Sequence, residues 1–167
     1  MDNRAVIIEK RTVVLEKVRK NRKITTHKSW KNDIDYENEM EILSNIQSGA
    51  NENSALLLQL IKCKLHSYKH QDKTKKKYNA EKFMISEKVI ELMTEQKNKC
   101  YYCNENVIVF YEKVREPKQW TLERMNNDYG HNVDNCVISC LKCNVTRKTM
   151  YHARFKFTKE LEIVKIN

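Results

Sequence analysis

Two closely spaced cysteine pairs are the residues of this sequence whose type and spacing point most directly to chemistry. Cys100-Tyr-Tyr-Cys103 and Cys140-Leu-Lys-Cys143 are separated by 36 residues. A two-residue gap lets one turn aim both sulfurs at the same ion, so the two pairs supply the four thiolates of a closed tetrahedral Zn²⁺ site. We therefore expect one structural Zn²⁺, which would supply folding energy that so short a segment lacks.

A redox dithiol is the alternative interpretation of a CxxC pair, and it would require one reactive pair beside a βαβ pattern. The N-terminus is charged from Asp2 and Arg4 onward and has no apolar segment of the kind found in secretory signals. We therefore expect an intracellular, reducing location, where spaced thiols are more often metal ligands than disulfides. Cys63 and Cys136 lie outside the pairs, and we expect each to be a small buried apolar residue.

The formal net charge is +10, and it is unevenly distributed along the chain. Residues 1–31 carry ten Lys/Arg and three acids, residues 32–61 carry six acids and no base, and residues 62–88 carry nine Lys and three acids. Such basic blocks are either a solvated surface or the binding site of a polyanion, and two blocks favour nucleic acid as the partner. Phosphate binding of this kind depends on salt and does not read sequence.

The chain contains only two glycines and one proline, so few turn formers interrupt it and we expect a mainly helical protein. Residues 5–20 have a helix-like pattern, although 6–8 and 13–14 could also form short strands. No apolar stretch approaches the roughly 20 residues of a membrane span. Apolar residues at helical spacing predict two antiparallel helices on either side of Gly49: Tyr36, Met40, Leu43 and Ile46, then Leu57, Leu60, Ile61 and Leu65.

The pattern changes beyond Cys100, where short β-like runs occur at 107–111 and 119–122. A polar loop at 124–134 follows, and a final helix should begin near Leu141. We therefore expect a β-hairpin, a loop and a helix with a cysteine pair at each end, preceded by a helix for which Ser86 is a plausible N-cap. The predicted fold class is α+β, mainly helical, with a helical region at 1–85 and a small zinc-bound domain at 86–167.

The segment between and around the cysteine pairs resembles a known nuclease group. It reads Gln119-Trp-Thr-Leu-Glu-Arg-Met-Asn-Asn-Asp-Tyr-Gly-His-Asn-Val-Asp-Asn135, followed by Cys-Val-Ile-Ser-Cys140-Leu-Lys-Cys143-Asn144-Val-Thr-Arg147. These motifs resemble the HNH and recombination-endonuclease-VII-like (ββα-metal) nucleases, and they are most similar to HNH-like proteins of large DNA viruses, including a tail like residues 155–163. The resemblance covers about residues 85–167. It implies a ββα-metal domain at 86–167 that hydrolyses or nicks DNA.

The resemblance also implies roles for individual residues. Glu123 and Asn144 match the ligands of a catalytic divalent ion, and their hard oxygens suit Mg²⁺ or Mn²⁺. Asn135 matches the central asparagine, which fixes the loop by hydrogen bonds. The candidate phosphate-binding residues are Arg124, Arg147 and Lys148.

This chain departs from the family pattern at Arg124, which stands where the family has the histidine that activates water. An arginine stays protonated and cannot act as the general base. His131 is the nearby imidazole that could supply the base, and a loop-stapling or phosphate-contacting role is the alternative. Glu123 is also one methylene longer than the commoner Asp, which could shift the ion. We expect Trp120, Phe155 and Phe157 to pack in the core rather than stack on bases.

Three functions remain open at this point. The first is a metal-dependent endonuclease. The second is a catalytically inactive, zinc-dependent nucleic-acid-binding or structural protein, associated with the virion or transcription of a large DNA virus and therefore located in the host cell or the virion. The third is a zinc module that docks on a protein partner through the N-terminal helices, where residues 32–61 could offer an acidic face.

Overall fold

Five helices and one two-stranded sheet form the regular structure of the described chain. The computed structural model describes residues 19–22, 36–46 and 53–161. The elements are α1 (Tyr36–Ser44), α2 (Ser54–Thr74), α3 (Ser86–Glu95), β1 (Trp120–Arg124), β2 (Cys136–Cys140), α4 (Leu141–Arg147) and α5 (His152–Glu160). The prediction of a mixed α+β fold with more helix than strand is confirmed for these residues. None of the described helices is both long enough and apolar enough to cross a membrane.

The helices predicted on either side of Gly49 are present as α1 and α2. The apolar residues that predicted α2 are all buried, and so are Leu43 of α1 and Ile46, which lies two residues beyond the end of α1. Both helices contact α3, and one buried cluster extends from Ile42 to Phe155. The antiparallel orientation of α1 and α2 stays a prediction, and the helix predicted at 5–20 falls almost entirely outside the described residues.

The N-cap of α3 lies one residue before the position that the sequence predicts. Ile85 is the N-cap of α3, with extended backbone and no side-chain capping bond, and Ser86 is the first helical residue. The other end of α3 is tied to the sheet through Gln96. Its Oε1 accepts from the Ile138 amide at 2.9 Å, and its Nε2 donates to the Ile138 carbonyl at 3.1 Å. This link fixes the distance between α3 and β2.

The segment 107–111 is not the strand that its β-like composition predicts. Only an isolated bridge between Ile108 and Gln119 forms there. The fully buried Glu39 of α1 explains the difference, because its carboxylate accepts the amides of Val109 at 3.0 Å and Phe110 at 2.9 Å. Those amides are therefore unavailable to a neighbouring strand, and the segment packs as an extended connection.

The hairpin forms instead between β1 and β2. The strands pair antiparallel, with Trp120 opposite Cys140 and Arg124 opposite Cys136. The predicted helix near Leu141 is confirmed, because α4 follows β2 directly and packs on both strands. The described chain thus contains two strands and a helix in sequence, with the long loop 125–135 between the strands.

Two expectations about the core are wrong. Cys63 is exposed, since it lies on the outer side of α2 beside the exposed Lys62. Phe157 is 60% exposed, because α5 turns only Phe155 inward, where its ring meets the edge of Tyr102 at 4.9 Å. The burial of Cys136, Trp120 and Phe155 is confirmed.

Candidate functional site

The four paired cysteines come together in the fold as the sequence predicts. Their sulfurs all lie within 4.8 Å of one another, and Cys103 Sγ is 4.0 Å from Cys140 Sγ. Zinc–sulfur bonds of about 2.3 Å in a tetrahedron place the sulfurs about 3.8 Å apart, whereas a disulfide requires about 2.05 Å. The donor set and its spacing therefore fit a metal ion such as Zn²⁺. Within the described ranges, no other group of three or more Cys, His, Asp or Glu residues lies as close together.

Two different local structures deliver the cysteine pairs. The first pair lies on the turn after α3, which is attached to β2 because the Tyr101 amide donates to the Ile138 carbonyl at 2.9 Å. The second pair bridges the end of β2 and the first turn of α4. Cys140 is the N-cap of α4, and its Sγ accepts from the Cys143 amide at 3.4 Å. A hydrogen bond from Cys140 lowers the pKa of Cys100 to about 5, which favours the thiolate that a metal binds.

A cleft of about 830 Å³ opens beside the hairpin and α4. Six of the predicted site residues line it, namely Glu123, Arg124, His131, Asn144, Arg147 and Lys148. Its other wall comes from the end of α2 and the residues that follow, and includes Tyr68, Lys75 and Lys77. The two lysines belong to the basic block at 62–88, whereas no sequence signal pointed to Tyr68. The cleft therefore joins the hairpin and α4 to a helix that lies about 50 residues earlier in the chain.

Glu123 and Arg147 form a buried ion pair at the base of the cleft. Their side chains are 6% and 2% exposed, and Arg147 Nε donates to Glu123 Oε1. Burial raises the pKa of Glu123, and the positive charge of Arg147 opposes that rise. Arg147 also donates to the carbonyls of Met150 at 2.6 Å and Arg124 at 2.7 Å. Each nitrogen of the guanidinium is thus engaged by protein, and Arg147 clamps α4 to the end of β1.

Asn144 lies one helical turn before Arg147 and faces the same cleft. Its Nδ2 donates to Thr121 Oγ1 at 3.1 Å, and Thr121 donates in turn to the Ser139 carbonyl at 2.9 Å. Because the amide nitrogen is bound to β1, the Asn144 Oδ1 is the atom that remains for another ligand. The strand therefore sets the orientation of this side chain.

Asn135 does not line the cleft. Its Oδ1 accepts the Asn126 amide at 2.9 Å, while its Nδ2 donates to the carbonyls of Asn126 at 2.9 Å and Gly130 at 3.1 Å. These bonds cross the loop 125–135 from the inside. The Asn135 amide group therefore helps to hold the shape of the loop that carries His131.

His131 is 3% exposed and lies between two residues of α2. Its Nδ1 is 2.8 Å from Asp72 Oδ1, and its ring stacks on Tyr68 with 4.4 Å between the centroids. A sequence signal for Asp72 exists: the buried positions of α2 continue at helical spacing from Leu57 through Leu65 to Asp72. A carboxylate at a core position of a helix requires a buried partner, and His131 is that partner.

The contact between α2 and the loop requires a residue without a side chain at position 130. A Cβ on Gly130 would collide with the Lys77 carbonyl oxygen and lie 2.7 Å from Asp72 Oδ2. We expect Gly130→Ala to destabilise the protein by about 1–3 kcal/mol, as overpacking does elsewhere. Thermal and denaturant unfolding measure this change. Tyr129→Ala, on the exposed side of the same loop, is the control, and equal stability of the two variants would contradict the predicted collision.

No protein-family model matches the chain, and no curated protein or solved structure shows a significant match to it. The function is therefore inferred from the geometry of the cysteine cluster and of the cleft.

Proposed function

We propose that the cleft binds the phosphodiester backbone of nucleic acid, with DNA as the first candidate, and that the chain is a metal-dependent endonuclease of the HNH type. One observation carries the proposal: a single cleft is lined by a carboxylate, an amide, an imidazole and several cationic side chains. Arg124, Lys75 and Lys148 supply positive charge at this cleft. Such charges attract phosphate, and the polar groups of the same cleft suit phosphodiester hydrolysis.

The arrangement of the hairpin and α4 supports the same proposal. A strand, a long loop, a second strand and a helix carry the motif residues in the order found in ββα-metal nucleases, with the cysteine cluster at their base. Glu123 stands in β1 and Asn144 in the first turn of α4. Because α4 packs on both strands, these two side chains are held by rigid elements rather than by a loop.

Glu123 and Asn144 are the residues that would hold Mg²⁺ or Mn²⁺. Arg147 engages Glu123 Oε1, which leaves Oε2 and the Asn144 Oδ1 as donors. Two hard oxygens fit an ion that takes the rest of its shell from water and phosphate, as Mg²⁺ does in phosphoryl-transfer sites. When bound, such an ion would supply positive charge to the scissile phosphate and to the leaving oxygen.

Nicking of supercoiled DNA tests the enzyme proposal. We expect the purified protein to nick DNA at low salt when Mg²⁺ or Mn²⁺ is added, and Asn144→Ala to lower the rate by at least about 100-fold through loss of a metal ligand. Thr146→Ala, on the exposed side of the same helix, should retain the rate. The absence of any metal-dependent product from the wild-type protein would remove the enzyme proposal.

A non-catalytic nucleic-acid-binding protein is the second candidate, and the Glu123–Arg147 ion pair favours it. A carboxylate already paired with a guanidinium binds a divalent ion less readily, and Arg124 supplies no base. This candidate predicts a salt-sensitive mobility shift with unchanged DNA. Replacing Lys75 and Lys148 with alanine should then lower the slope of log K against log salt by about 2, at about 0.9 per phosphate contact.

The predicted protein partner of the N-terminal helices stays a prediction. Residues 1–18, 23–35 and 47–52, which include residues 32–35 and 47–52 of the acidic block, lie outside the described part of the chain.

A further inference from the structure

His131 is held at four points by three residues, Asp72, Met84 and Tyr68. Its backbone amide donates to Asp72 Oδ2 at 2.6 Å, and its Nδ1 meets Asp72 Oδ1 at 2.8 Å. Its carbonyl accepts the Met84 amide at 2.9 Å, and one face of its ring stacks on Tyr68. One carboxylate thus binds both the backbone and the side chain of the same histidine. The ring can neither rotate nor shift without breaking these contacts.

The remaining nitrogen of the ring faces the cleft. Nε2 has no hydrogen-bond partner among the described residues. It is also absent from the polar atoms of those residues that are both inaccessible to solvent and without a partner. It therefore retains contact with solvent, and the cleft is the solvent-filled space that His131 lines. The cleft also contains Glu123 and Asn144, so Nε2 opens onto the same space as the proposed ion ligands.

We propose that Asp72 is a positioning residue that fixes His131 as the general base of the cleft, in a chain whose Arg124 cannot supply one. This inference rests on the proposed endonuclease function. It goes beyond the motif, because Asp72 belongs to α2 and lies 59 residues before the histidine. Asp72 is fully buried and contacts no solvent, so its role is exerted only through His131 and the loop.

The carboxylate selects the tautomer that a base requires. Asp72 Oδ1 accepts the proton on Nδ1, which leaves the lone pair on Nε2. Nε2 takes a proton from a water molecule, whose oxygen forms a bond to phosphorus as the bond from phosphorus to the 3′ oxygen breaks. The electron pair of that bond stays on the 3′ oxygen, which is then protonated by solvent. His131 returns its proton to bulk water, so water is the only co-reactant.

The surroundings of His131 keep it neutral at working pH. Burial lowers the pKa of His131 below its usual 6.5, the Asp72 carboxylate opposes this, and Arg124 and Lys75 lower the pKa further. Tyr68, which covers the ring, stays uncharged because burial raises the pKa of its hydroxyl. The rate should therefore fall on the acidic side, as His131 becomes protonated, with a midpoint below pH 6.5.

The Asp72→Asn variant tests the inference through the pH profile of DNA nicking. We expect a rate about 10- to 100-fold lower, as for other groups that orient a histidine, and an acidic midpoint shifted to lower pH, because the carboxylate that raised the pKa is gone. His131→Ala should lose about 100-fold or more, and the exposed His66→Ala should lose nothing. If Asp72 had only a structural role, Asp72→Asn would lower stability, but the acidic midpoint of the nicking rate of the folded variant would not change. That result would overturn the proposal.

If Asp72→Asn does not fold, a measurement on the wild-type protein that does not depend on its activity tests the same inference. Nitrogen-15 NMR of the wild-type histidines should show His131 protonated on Nδ1 at pH 7 and titrating below 6.5. Protonation on Nε2, or a cationic ring at pH 7, would overturn the inference. A His131→Ala variant that nicks DNA as fast as the wild-type protein would overturn this inference alone, whereas a wild-type protein with no metal-dependent nicking would overturn the proposed function.

Discussion

Replacing Cys143 with serine is expected to abolish metal binding and, with it, the folding of the region around the cysteine cluster. Structural Zn²⁺ contributes about 10–16 kcal/mol in small zinc domains, which is comparable to a typical domain's whole stability of about 5–15 kcal/mol. The wild-type chain should contain one Zn²⁺ per molecule by elemental analysis. The variant should contain none, and its cooperative thermal unfolding should be lost or occur at a much lower temperature.

The chain provides its own control for this experiment. Cys63 is exposed and lies outside the cluster, so Cys63→Ser should retain both the zinc and the unfolding transition. Chelation of the wild-type protein should reproduce the effect of Cys143→Ser, because both remove the same ion. A wild-type protein that is free of metal yet folded would contradict the assignment of the cluster as a structural zinc site.

The Arg147→Met variant is expected to cost about 3–5 kcal/mol of stability, the second largest effect. It leaves the Glu123 carboxylate buried without its partner, and removing one member of a buried pair costs about this much. It also leaves the carbonyls of Arg124 and Met150 without their donor. Urea unfolding of the variant and the wild type measures the difference.

A double-mutant cycle separates the ion pair from the rest of this loss. Glu123→Gln removes the opposite charge, so the double variant should be more stable than the sum of the two single losses implies. Lys82→Met breaks the exposed pair with Asp134, in which both side chains are more than half exposed, and should cost less than about 1 kcal/mol. If Arg147→Met were no more costly than Lys82→Met, Arg147 would not be the clamp that its four hydrogen bonds indicate.

A metal ion at the cysteine cluster would act on the same helix as the Glu123–Arg147 ion pair, which connects stability with the proposed chemistry. Cys143 and Asn144 are adjacent in α4, and Arg147 follows within one turn. An ion at the cysteines holds the start of this seven-residue helix, and the Glu123–Arg147 pair holds its end. Asn144 is therefore positioned from both sides. Loss of either anchor should reduce function in addition to stability, because the amide would no longer be fixed at the cleft.

The local pattern of the sequence was sufficient to predict the features that depend on neighbouring residues. The spacing of the cysteine pairs predicted their convergence. Each CxxC turn holds two sulfurs together, and a tetrahedral metal ion requires the sulfurs of both pairs. The periodic leucines of α2 predicted a helix with one buried side. The start of α4 after Cys140 was predicted in the same way. For the two helices the physical cause lies within a few residues of the chain, and for the cysteines it lies in the requirement of one metal ion for four thiolates.

Tertiary structure alone decided the strand pairing, the role of Arg147 and the partner of His131. The β-like segment 107–111 lost its pairing because Glu39, about 70 residues earlier in the chain, binds its amides. Phosphate binding by Arg147 stays a prediction, and the ion pair of its guanidinium with Glu123 is what the fold adds. Asp72 meets His131 only because α2 continues to Thr74 and reaches the loop, where Gly130 lets the two backbones approach. Burial makes such contacts obligatory, since a charge removed from water needs a partner, but which distant residue becomes that partner is determined only when the whole chain has packed.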